Sequence, residues 1–154
     1  MRAVSELWAI FSNRYIWCGL TSYFVAQALK IPTYYLVEKR WDVRRFVGSG
    51  GMPSSHSAIV VSLAILIGAF EGFDTPLFAL SVALMAIVMY DAAGVRRETG
   101  KQGAVINEIL EKVLIDGKPI SDDEFKELVG HTPFEVAGGA IVGILVAVLF
   151  IVTA

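Results

Sequence analysis

Residues 136–154 (VAGGAIVGILVAVLFIVTA) contain no charged side chain. In water such a run would have to be buried on every side, whereas in a bilayer it matches the roughly 20 apolar residues a helix needs to cross the hydrocarbon core. Three further apolar runs precede it: 15–37, broken late by Lys30 and Pro32; 53–70, which follows Gly50 and Gly51; and Pro76–Ala93, ending in Tyr90 and Asp91. Only residues 71–75 separate the second run from the third, which forces an antiparallel hairpin. At 55% hydrophobic and 18% charged, the chain falls short of the roughly 25% charge of a soluble domain. Its aromatic and branched content excludes a disordered regulator, and its single cysteine, Cys18, excludes a disulfide-stapled module. A net charge of −2 gives no electrostatic case for nucleic acid. The expectation is an all-α, polytopic membrane helix bundle, one domain over residues 1–154, with about four transmembrane helices and short amphipathic helices in a cytoplasmic insertion.

Local signals refine this outline. Val4, Leu7, Trp8 and Phe11 have helical spacing, which fits a helix lying at the interface or extending the first span, and no cleavable signal peptide is recognisable. Gly138, Gly139, Gly143 and Ala147 put small residues along the fourth run, so that a neighbouring helix can approach closely. The polar insertion, 94–133, reads as two short amphipathic helices. The first, 104–114, carries Ile106, Ile109, Leu110 and Val113; the second opens on a capping box of Ser121 and Glu124 and ends at Gly130. Thr132, Pro133 and Glu135 form the start signal of the last span. Loop 38–52 and the insertion together hold ten of the 13 basic residues. The charge bias predicts that both face the cytoplasm, with the termini outside, in a bacterial or organellar inner membrane.

Both histidines fall at the cytoplasmic start of a predicted span. His56 lies in GGMPSSHSA, where glycines permit a tight turn and Ser54 or Ser55 can open the helix; such a start presents backbone N–H groups and a positive dipole end to an anion. His131 lies in GHTPFEV, with Glu135 four residues on and on the same helical face. A carboxylate that fixes one imidazole nitrogen leaves the other able to attack phosphorus. Each residue also has a plainer reading: Glu135 completes the cap with Thr132, and His56 is a satisfied interfacial side chain. Arg96 and Arg97, after the third span, either grip phosphate oxygens or anchor to headgroups. Lys30 either snorkels to the interface or points into the bundle as a phosphate contact. Asp91 needs a partner, which Arg96 or Arg97 could supply. Asn107 is a polar residue that could hold the insertion down. A metal site built from His56, Asp91, His131 and Glu135 has no diagnostic spacing, so neither metal nor cofactor is expected.

The three blocks GGMPSSHSA, MYDAAGVRRETG and GHTPFEV, in that order, resemble the type 2 phosphatidic acid phosphatases, relatives of the vanadium haloperoxidases, and most closely the divergent branch of that superfamily. The resemblance implies a helical membrane phosphatase needing no metal. His131 would become phosphohistidine with Glu135 orienting it, His56 would protonate the leaving alcohol, and Ser54 with the backbone near Ser55 would bind phosphate. Ser55 stands where the superfamily has glycine, and Glu135 where it has aspartate. Its third-block arginine corresponds to Phe125, and its first block has no match from Lys30 or Lys39. Arg96 and Arg97, with Lys30, are expected to replace the missing cations. The implied partners are membrane lipid and a lipid phosphate or isoprenoid (di)phosphate substrate, with homo-oligomerisation open. The competing expectation is a non-catalytic lipid-phosphate binder or transporter that keeps the anion site.

Overall fold

The computed structural model describes residues 8–48, 50–94, 102–103, 106 and 132–154. Among these it contains four long helices and no strand: α1 (Arg14–Glu38), α2 (Ser55–Glu71), α3 (Pro76–Ala93) and α4 (Pro133–Val152). Of the expected insertion helices only Ile106 is described; the rest of both, the residues Val4 and Leu7, and His131, Arg96, Arg97 and Asn107 lie outside the described residues.

The helix starts follow from side chains that satisfy otherwise orphaned N–H groups. The Asn13 side-chain oxygen accepts from the N–H groups of Tyr15 (2.9 Å) and Ile16 (3.2 Å). Asn13 is extended, with a short 3₁₀ turn, Ile10–Ser12, before it, so the described part of the N-terminal segment does not run on into the first span. Ser54 caps α2 and Thr75 caps α3. Thr132 and Glu135 make a full capping box at α4, with Pro133 in the first turn, as the sequence signal predicts.

One expectation needs adjustment. Lys30 and Pro32 do not interrupt the first run, because α1 continues through both to Glu38. Proline removes one helical donor. The adjacent Thr33 hydroxyl adds one to the same turn, reaching the carbonyl oxygens of Leu29 (2.8 Å) and Lys30 (3.1 Å).

Helix α2 is the centre of the bundle and packs against α1, α3 and α4. Its mate in the tightest contact is α4, whose buried residues Val136, Gly139, Val142, Gly143, Val146 and Ala147 form one stripe. A Cβ at Gly139 would meet the Ser54 carbonyl and lie 2.9 Å from Ser57 Cβ; at Gly143 it would lie 2.6 Å from the Ala58 carbonyl oxygen. The small-residue stripe is therefore spent on backbone-to-backbone approach within the chain. The core it closes is made of Cys18, Ala26, Ala58, Leu66, Val142, Val146 and Ala147.

By length and composition, α3 and α4 can each cross a membrane. At 17 residues α2 is shorter than the usual span, and α1, at 25 residues, carries Lys30 within it. The outer faces remain apolar: Leu80, Leu84 and Ile87 of α3 and Ile141, Leu145 and Leu149 of α4 are each more than half exposed. Continuous apolar surface of this extent suits hydrocarbon rather than water.

Candidate functional site

The four helices alternate in direction, which brings the end of α1 and the starts of α2 and α4 to one pole of the bundle. The opposite pole is fixed by a hydrogen bond from the Tyr15 hydroxyl to Glu71 and by Arg14 lying 4.5 Å over the Phe70 ring.

At the first pole the chain leaves α1 through Lys39, which adopts the left-handed conformation at φ 56°. The loop then folds back on the helix it has left. Trp41 stacks on Tyr35 at 4.5 Å, and the Asp42 carboxylate accepts from the Arg44 N–H (3.0 Å) to start a 3₁₀ turn at Val43–Phe46. Arg45 lies 4.3 Å over the Tyr34 ring and 3.5 Å from the Asp42 carboxylate. Further on, Lys30 Nζ donates to the Gly48 carbonyl (3.0 Å) and the Thr33 hydroxyl donates to the Met52 carbonyl. Gly51 takes φ +91°, a conformation that L side chains rarely adopt. The Ser54 N–H then donates to the Glu135 carbonyl oxygen (2.9 Å), tying the start of α2 to the first turn of α4.

These ties enclose a cavity of about 180 Å³. One wall is a single face of α1, with Lys30, Thr33, Tyr34, Val37 and Glu38 at helical spacing; the loop supplies Arg45, Gly50, Gly51 and Met52, and α4 supplies Glu135. Lys30 is only 2% exposed. Lysine at such depth is costly in a membrane protein unless it is paired, and it marks a functional pathway by default. Of the two readings of Lys30, the inward one describes its position.

The sequence-predicted residues divide as follows. Lys30 and Glu135 line the cavity. Glu135 also accepts from the Thr132 N–H at 2.9 Å, so the plainer capping reading holds geometrically. Ser54 is fully buried, its Oγ accepting from the Ser57 N–H at 3.4 Å and its own N–H committed to Glu135; Ser55 is buried beside it at the first position of α2. His56 follows, part-buried in the first turn of α2, and Asp91 is part-buried in the last turn of α3. Among the described residues no three His, Cys, Asp or Glu side chains gather as a metal site. His131, the fourth member of the metal set considered from the sequence, is outside them.

Sequence reasoning missed Arg45, Thr33 and Tyr34. It counted Arg45 only as an orientation charge. The available signal was the 30, 33, 34, 37, 38 spacing, which carries polar side chains into a run otherwise read as lipid-facing. A second, larger cavity of about 590 Å³ between α1 and α2 is lined by Gly19, Leu20, Ile59 and Leu63 among others, with no charged side chain.

Residues 11–146 match a family model described as the Divergent PAP2 family. The chain is 34% identical over 150 residues to a Bacillus subtilis (strain 168) protein named as the uncharacterized membrane protein YuiD, covering 91% of this chain and 95% of that one. No solved structure matches.

Proposed function

The chain belongs to the divergent PAP2 family, and from that premise we propose that it is an integral membrane phosphatase acting on a lipid phosphate or an isoprenoid (di)phosphate. The observation that carries this reading is the cavity that buried Lys30 and Glu135 both line, beside the joint between Ser54 and α4. Its volume of about 180 Å³ is below the roughly 300–1,000 Å³ of pockets that engulf drug-sized ligands. It suits a phosphate group whose hydrocarbon tail stays in the bilayer. All four helices would cross the membrane, with the cavity, the insertion and both histidines at the cytoplasmic face of an inner membrane.

In the proposed reaction a His131 imidazole nitrogen attacks phosphorus while Glu135 holds the ring's other N–H. His56 donates its proton to the departing alkoxide and then takes a proton from the water that attacks phosphohistidine, releasing inorganic phosphate. Lys30, with Arg96 and Arg97, offsets charge on the phosphoryl oxygens, and Ser54 and Ser55 at the start of α2 supply the dipole end and hydrogen-bond donors. Asp91 and Asn107 support the arrangement. Purified protein is expected to release phosphate from at least one member of a panel of phosphatidic acids and polyprenyl phosphates or diphosphates, and His131→Ala and His56→Ala are each expected to abolish it. Release from none of them, or release that survives both substitutions, overturns the reading.

The engagement of Glu135 in a capping box favours one alternative, a non-catalytic binder or transporter of lipid phosphate. Headgroup binding without turnover, insensitive to Glu135 replacement, is its signature.

A further inference from the structure

We infer that Arg45 is a phosphate-gripping cation of this site, delivered by the loop after α1 rather than by any of the three blocks GGMPSSHSA, MYDAAGVRRETG and GHTPFEV. The inference deepens the proposed function and rests on the same cavity. Four observations converge on Arg45. It lines the cavity together with Lys30, so that two cations reach the space from different elements. It is held in place, its guanidinium stacked 4.3 Å over Tyr34 and drawn to Asp42. Its Nε is buried, and the Asp42 oxygen 3.5 Å away does not make a hydrogen bond with it, so among the described residues this donor has no hydrogen-bond partner. Its neighbour Arg44 is exposed and is absent from the cavity wall.

A planar guanidinium already fixed on one face by an aromatic ring loses little freedom on gripping an anion, and its fork of donors matches phosphate oxygens. The carboxylates on the cavity wall are Glu135, whose Oε2 is engaged by the Thr132 N–H, and Glu38, which is exposed at the end of α1. Neither removes the arginine from play. Lys30 contributes a compact charge at depth, and Arg45 contributes directional donors from the loop. Together they provide the cation pair whose usual sequence positions this chain lacks.

The test uses full-length protein in detergent, titrated calorimetrically with inorganic phosphate in one arm and with a short-chain phosphatidic acid in the other. Arg45→Ala is expected to weaken binding about tenfold or more, in line with loss of a charge-assisted contact, while Arg44→Ala leaves it unchanged. Arg45→Gln, which keeps the first part of the aliphatic stem and puts a neutral planar amide in place of the guanidinium that lies over Tyr34, is expected to lose affinity equally without a fall in melting temperature, so a folding defect cannot mimic the effect. Loss in both arms assigns the guanidinium to a phosphate group from either source, and loss in the lipid arm alone assigns it to lipid-borne phosphate. Wild-type affinity of Arg45→Gln in both arms, or no phosphate binding by the wild type in either, overturns the inference. Arg45-dependent binding without phosphate release leaves it standing and sinks the phosphatase reading. Phosphate release that is unchanged in Arg45→Gln does the reverse.

Discussion

Glu135 carries two duties that single substitutions can separate. Its carboxylate closes the α4 capping box, and the residue lies on the wall of the cavity that Lys30 also lines. Glutamine can also close a capping box, so Glu135→Gln is expected to leave the melting temperature unchanged, whereas Glu135→Ala costs about 1 kcal/mol, the usual price of a lost cap. If the carboxylate also orients His131, both substitutions lower kcat by roughly a hundredfold, the scale on which positioned acid–base groups contribute. Thermal unfolding alongside steady-state phosphate release tells the two duties apart. Lys30→Met is expected to keep the buried stem and lose the ammonium. It leaves the Gly48 carbonyl without its donor and lowers kcat/KM for phosphate release by about tenfold or more, the value of a charged hydrogen bond.

At the scale of elements, the α2–α4 contact sets the position of everything above it. Ser54 is tied to Glu135 only because α4 comes close enough, and the approach is made through Gly139 and Gly143. Even alanine at Gly139 places a carbon against the Ser54 carbonyl and 2.9 Å from Ser57 Cβ. Gly139→Ala is therefore expected to destabilise the fold by about 1–3 kcal/mol, the range for overpacking, and Gly139→Val more. Gly138→Ala, facing the flexible Met52 side chain at 3.2 Å, is expected to cost less. Melting temperatures in one detergent provide the comparison. The cap at Thr132, an α2 start at Ser54 or Ser55 and the bounds of α3 were legible from sequence, because they depend on residues adjacent in the chain; the structure chose Ser54 as the α2 cap. The continuity of α1 through Pro32 was less so, since Thr33 and the returning loop support that turn.

For the molecule as a whole, the alternation of four helices puts loop 39–54 and the start of α4 at one pole and the α2–α3 hairpin at the other. Cys18 is fully buried, so a membrane-impermeant maleimide reports only introduced thiols. Arg44 and Asp74 are both exposed, at opposite poles. If all four helices span and the basic loops face the cytoplasm, Asp74→Cys is labelled in intact cells and Arg44→Cys only after permeabilisation. The converse pattern reverses the orientation, and labelling of both in intact cells refutes the four-span arrangement.

The sequence by itself determined the helical class, the hairpin, the caps and the family. Each depends on local composition, short-range hydrogen bonding or a motif that keeps its order along the chain. It also marked Glu135 and Lys30, but left each with two meanings. Only the tertiary structure decided that Lys30 points into a cavity, that the glycine stripe of α4 is consumed against α2, and that Arg45 joins the cavity wall. Those facts depend on how a loop returns to the helix it left and how closely two backbones meet, and residues far apart in the chain carry no periodic signal of such encounters.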